Sequence, residues 1–123
     1  MNEPELNILI ENLETRADLS IAEFEGVLQA LNLLLPDAIP SETSAQSLDT
    51  TDGAIAVAVT AYPGWDINIH GRATPRQGHW QCSLRENDDR DNDAAIGLGK
   101  SMRAGQSVLA AVMRLSMIRN KVP

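Results

Sequence analysis

The stretch WDINIHGRATPRQGHWQCSLR, from Trp65 to Arg85, decides the fold. Trp65, Ile67 and Ile69 alternate with Asp66, Asn68 and His70, and Trp80, Cys82 and Leu84 alternate with His79, Gln81, Ser83 and Arg85. Successive side chains of a strand point to opposite faces, so this pattern predicts a two-stranded antiparallel unit with one dry and one wet face. Gly71 to Gly78, with Pro75 inside it, supplies a hairpin loop longer than a tight turn. A dry face carrying two buried tryptophans needs a helix over it. The chain offers one at about 104–119, where Val108, Ala111, Val112, Leu115 and Ile118 share a face and Arg114, Arg119 and Lys121 suit the C-terminal end. Between hairpin and helix, Ala94 to Leu98 is expected to form a short third strand.

Upstream, Leu6, Leu9, Ile10 and Leu13 lie at the i, i+3, i+4, i+7 spacing of a helix over 3–16, with Asn2 as N-cap and Glu5 three residues later. Ser20-Ile21-Ala22-Glu23 has the capping-box pattern, and Phe24, Val27, Leu28, Leu31, Leu34 and Leu35 carry a second helical stripe up to Pro36. Two acidic amphipathic helices so close together predict a helical hairpin. Residues 36–50 hold two prolines, several Ser and Thr, and little periodicity, and read as a linker. Residues 51–62 are ambiguous. Ile55, Val57 and Val59 alternate with alanines as in a strand, whereas Thr51 as cap and the stripe Ile55, Val59, Tyr62 suit a helix. The expected organisation is an acidic helical extension (1–35), a linker (36–50) and an α+β sandwich domain (51–123).

The chain has 123 residues, 43% of them hydrophobic and only 3% aromatic, so one domain with an aliphatic core is expected and two full domains are excluded. No apolar run approaches the roughly 18 residues of a membrane span. Met1 to Glu5 is acidic, so no secretory signal is expected and the expected location is the cytoplasm. Cys82 is the single cysteine, which excludes an internal disulfide. The net charge of −7 is unevenly spread: residues 1–50 carry ten acids against Arg16 alone, and the remainder carries nine bases and seven acids. An acidic N-terminal half repels phosphate backbones and attracts basic partners.

At PGW (Pro63 to Trp65), HWQCSLRE (His79 to Glu86), IGLG (Ile96 to Gly99) and the alanine-rich final helix, the chain resembles small bacterial and prophage proteins of the phage-type α/β/α-sandwich families. The resemblance covers about 50–119 and omits the acidic helices. It implies that 51–62 is helical and that the domain has an α-β-β-β-α order similar to double-stranded-RNA-binding domains. It implies no catalytic residue. The expected fold class is therefore α+β: two N-terminal amphipathic helices, then an α-β-β-β-α unit with a small antiparallel sheet covered by helices.

Four patterns that carry chemistry elsewhere fall short here. In Asp89 to Lys100, Asp89, Asp91 and Asp93 match loop positions of a calcium-binding EF-hand, but Ala94 replaces the turn glycine and Lys100 the bidentate glutamate. Gly97 to Ser101 matches the end of a phosphate-binding loop, yet Ala94 stands at its first glycine, and Gly97 and Gly99 better suit a bulge or close strand-to-helix packing. His70 and His79 fall on the face opposite Cys82, which argues against a zinc site and against a Cys82–His79 nucleophile pair. Asp66 and His70 share the wet face, a spacing that any polar strand face produces. No enzyme, cofactor or metal is expected. Lys100 and Arg103 stand almost alone at the start of the final helix, so nucleic-acid binding, aided by Arg72, Arg76 and Arg85, is expected to be weak.

These observations lead to a non-enzymatic protein-interaction module of phage or prophage type. Its sharper form is an acidic, anti-defence inhibitor that presents carboxylates to the basic channel of a nucleic-acid-handling host machine, including CRISPR effectors. The candidate interaction residues are Glu11, Glu14, Glu23, Glu25, Leu28, Arg72 and Arg85. The competing expectation is a self-associating accessory protein, a homodimer that buries the leucine stripe around Leu28.

Overall fold

The computed structural model describes residues 2–73, 78–86 and 96–120. Helix α1 (Glu3–Thr15) starts where the Asn2 side chain accepts a hydrogen bond from the Glu5 N–H at 3.0 Å, and it buries Leu6, Ile10 and Leu13. Helix α2 (Ile21–Leu34) starts at a complete capping box between Ser20 and Glu23 and buries Phe24, Val27, Ala30, Leu31 and Leu34. Both boundaries follow from hydrogen bonds three residues apart, which is why local sequence predicts them. The expected hairpin is replaced by a looser arrangement. Leu9 of α1 lies near Gly26 of α2, but α1 packs chiefly on the C-terminal helix.

Residues 36–50 are not a free linker. Ser44 caps a one-turn helix, α3 (Ala45–Leu48), whose Ala45 and Leu48 are buried. Helix α4 (Thr51–Ala61) settles the ambiguous stretch as helical; Thr50 accepts from the Gly53 N–H at 2.9 Å. Its buried face is Ala54, Val57 and Ala58, while Ile55 is half-buried and Val59 exposed. The stripe expected through Ile55 and Val59 is therefore displaced. Small alanines face inward because α4 packs closely on the final helix, and short side chains let two backbones approach.

The sheet has three antiparallel strands in the order β1 (Asp66–Ala73), β2 (Gly78–Arg85), β3 (Gly97–Ser101), so the fold is α+β. Its register aligns Ile67 with Leu84 and Gly97, Ile69 with Cys82 and Gly99, and Gly71 with Trp80 and Ser101. Of the expected third strand, Ala94 and Ala95 lie outside the described residues, and β3 continues past Leu98 to Ser101. A helix lies directly beneath it: a Cβ on Gly97 would come within 2.5 Å of the Ala111 carbonyl oxygen. Only residues without side chains fit the dry face there.

Helix α5 (Ala104–Asn120) runs under β2 and β3 and is buried almost all round between Gly105 and Ser116, as a central helix must be. Ile118, expected on its buried face, is exposed because the core ends before it. Trp65 and Trp80 are half-buried rather than fully covered. Trp65 lies against Tyr62 with ring centroids 5.1 Å apart, and the Arg119 guanidinium sits 5.2 Å from the Trp65 ring. Beneath them the Tyr62 hydroxyl meets Ser116 Oγ at 2.7 Å; Ser116 donates its own proton to Val112 O, so Tyr62 is the donor.

The three segments expected as extension, linker and domain share one hydrophobic core. The junction is polar as well as apolar. Buried Gln106 of α5 donates from Nε2 to the carbonyls of Leu13 and Arg16, and Ser101 Oγ donates to Leu13 O. These bonds satisfy carbonyls that the end of α1 would otherwise leave unpaired.

Candidate functional site

The wet face of the sheet is a concave polar surface to which several elements contribute. Strand alternation places Asn68, His70 and Arg72 of β1, His79, Gln81 and Ser83 of β2, and Leu98 and Lys100 of β3 on that face, with His70, Gln81 and Lys100 in one row. A groove of about 590 Å³ runs along it, lined by Glu14, His70, Arg72, His79, Gln81 and Lys100 among others. A smaller hollow of about 250 Å³ shares Glu14, His70, Gln81 and Lys100 and adds Arg114.

Glu14 closes one side of this groove and is not a free carboxylate. Its side chain is 7% exposed, it takes both Arg114 Nη atoms, and it accepts the Lys100 backbone N–H at 3.1 Å. Arg114 Nη1 also donates to Leu98 O at 3.0 Å. The hydrogen bond from the guanidinium to Glu14 raises the Arg114 pKa further above its ordinary value. The pair thus occupies the outer N–H and C=O of β3, the groups a further strand would have used.

The remaining expected interaction residues separate into two kinds. Glu23 is bound to Arg16 and to the Ser20 cap; the Ser20 N–H, then its hydroxyl and Arg16, hold its carboxyl below the ordinary carboxylate range. Leu28 is half-buried against the core. Glu11 and Glu25 are exposed, and among the described residues neither lies in an ion pair. Arg72 and Arg85 lie on the wet face at opposite ends of the hairpin, in register with His79 and Asp66. The four carboxylates named from sequence therefore do not act together: two are structural and two are free.

Sequence reading missed Ile8 and Ile21, which are 58% and 40% exposed on α1 and α2. The signal was present for Ile8, an apolar residue outside the Leu6, Leu9, Ile10, Leu13 stripe. It missed Arg114 as the partner of Glu14, for which a separation of 100 residues leaves no local sign.

Among the described residues no cluster of three His, Cys, Asp or Glu side chains could hold a metal ion. The Asp89 to Asp93 loop lies outside the described residues, as does Arg76. Gly97 to Ser101 is a strand, so its amides are not arranged as a phosphate-cradling loop. Of the two cations at the start of α5, Arg103 is committed to Asp49, donating to its carboxylate and to its carbonyl at 2.8 Å. Cys82 is buried and burial pushes its thiol up to about 11. It is therefore expected to resist iodoacetamide in the native protein at pH 8, with a thiolate fraction of about 0.001 by that pKa, and to react only on unfolding. Rapid native labelling would contradict this burial.

Compared with protein-family models, with curated proteins and with solved structures, the chain matches none.

Proposed function

We propose that this chain is a non-enzymatic protein-interaction module that engages a basic protein surface through α1 and α2. The observation that carries the reading is the pairing of exposed isoleucines with unpaired carboxylates. Ile8 lies one helical turn from both Glu5 and Glu11, and Ile21 one turn from Glu25. An apolar anchor ringed by charge is the anatomy of a protein-binding patch, where the anchor supplies affinity and the charges supply steering. The same face repels nucleic acid. The partner class that fits is a protein whose own ligand is a polyanion, such as a DNA- or RNA-handling enzyme, whose basic channel the carboxylates would occupy in an anti-defence role.

The test compares tagged wild type with Glu11→Lys/Glu25→Lys in capture from a nuclease-treated host lysate. Both residues are exposed, so the variant is expected to keep its fold, checked by circular dichroism. Wild type is expected to retain a basic protein that is lost as salt rises, with recovery by the variant at least about tenfold lower. Equal recovery by the variant, or recovery of the bait alone, would overturn the reading.

A further inference from the structure

The two edges of the sheet are treated differently. The β3 edge is closed by Glu14 and Arg114, whereas β1 packs substantially only on β2, and among the described residues no group bonds to its outer side. β1 is eight residues long and contains neither Pro nor Lys, the usual devices that blunt an open edge.

The register identifies which groups that edge presents. In antiparallel strands a residue's N–H and C=O point to the same side, and the side alternates along the chain. Lys100 N–H and Leu98 C=O point outward from β3, so Gly97, Gly99 and Ser101 bond to β2 through Leu84, Cys82 and Trp80. His79, Gln81 and Ser83 then bond to Arg72, His70 and Asn68. Ile67, Ile69, Gly71 and, at the end of the strand, Ala73 are left with their N–H and C=O outward.

We propose that the β1 edge pairs with the β1 edge of a second copy, antiparallel and centred on Ile69, to form a continuous six-stranded sheet across a two-fold axis. This register pairs Ile69 with Ile69 of the second copy and Ile67 with its Gly71, twice, and among the two-fold registers of this edge it is the one that sets Asp66 opposite Arg72. Six backbone hydrogen bonds result. On the wet face the same register sets Asp66 against Arg72 of the second copy, also twice, so the edge is complementary in charge to itself. On the dry face Ile67 of the second copy enters beside Gly71, where the Trp80 indole already lies so close that a Cβ on Gly71 would sit 2.7 Å from its Cε3. Half-buried Ile67, Ile69 and Trp80 would there gain the cover that α5 does not extend to β1. This surface is separate from the acidic helices, and the reading does not depend on a basic partner.

Light scattering after gel filtration tests it. Wild type is expected at twice the 13.3 kDa chain mass at ~100 µM, within reach of a micromolar interface. Asp66→Arg places arginine opposite Arg72, and Arg72→Asp places aspartate opposite Asp66, so each variant alone is expected to be monomeric, with dimer affinity at least about tenfold weaker. Mixed in equal amounts, the two restore opposite charges at both positions and are expected to form a heterodimer. Glu11→Lys/Glu25→Lys is expected to remain dimeric, which separates this test from the previous one. Amide exchange on wild type provides a check that needs no variant: the Ile67, Ile69 and Gly71 amides should be protected at high concentration and open on dilution. A monomeric wild type, variants that still dimerise alone, a mixture that stays monomeric, or edge amides open at all concentrations would each overturn the proposal.

Discussion

Gly99→Ala is expected to lower the melting temperature by about 10–15 °C, at roughly 3 kcal/mol and ~4 °C per kcal/mol for a domain of this size. The cause is contact with backbone rather than with a side chain that could turn away. A Cβ at this position would lie 2.1 Å from the Ser107 carbonyl oxygen, 2.7 Å from the Ala111 nitrogen and 3.0 Å from the Ala110 Cβ. Helix α5 would have to retreat by more than 1 Å by ordinary contact distances, and it is enclosed by β2, β3, α1 and α4. Against a total stability of ~5–15 kcal/mol such a loss is severe. Lys100→Ala, the next residue along β3 but on the wet face, is the control and should stay within about 0.5 kcal/mol of wild type. Thermal unfolding followed by circular dichroism reads both; a Gly99→Ala protein that melts with wild type would show that β3 does not lie on α5.

Glu14→Ala is expected to cost about 2 kcal/mol, whereas Glu11→Ala, one turn away on the same helix, should cost less than about 0.5 kcal/mol. Breaking a buried ion pair costs ~3–5 kcal/mol when the orphaned charge stays dry. Arg114 is 41% exposed, so water can hydrate it once Glu14 is gone and the cost falls. What remains is the loss of the acceptor for the Lys100 N–H and of the clamp that ties α1 to β3 and α5. Glu14→Gln keeps an acceptor and should recover about half of the loss. Urea midpoints with an unchanged m-value would measure this series. Equal effects at Glu11 and Glu14 would contradict the division of the acidic residues into structural and free.

That division bears on the proposed function. Charge counted along the chain assigns Glu11, Glu14, Glu23 and Glu25 to one acidic surface, but Glu14 and Glu23 hold the fold together through Arg114 and Arg16. Of these four carboxylates, Glu11 and Glu25 beside Ile8 and Ile21 are the ones left for the proposed partner, so the proposed patch is less charged than the composition implies.

Much of the architecture was legible because its causes are local. The Asn2 and Ser20 caps act over three residues, the two hairpin strands follow from alternation around Trp65 to Arg85, although Gly71 to Ala73 and Gly78, read as loop, pair as strand, and the final helix follows from its 3.6-residue period. Residues 51–62 were balanced between strand and helix because alanine and β-branched residues alternate there, and the choice of Ala54, Val57 and Ala58 as the inner face came from the helix packed against them. Gly97 and Gly99, which from sequence suit a bulge or close strand-to-helix packing, do lie against the α5 backbone.

By itself, then, the sequence determined α1 and α2 with their caps, the final helix, the antiparallel hairpin with the faces of its residues, and the segregation of charge between the two halves, since each depends on neighbours within a few positions. Only the tertiary structure decided which carboxylates are paired, which sheet edge is closed and how α1 joins the core. Those outcomes rest on contacts such as Glu14 with Arg114 and Leu13 with Gln106, roughly a hundred residues apart, and such contacts exist only once the packing of α5 has set where each element lies.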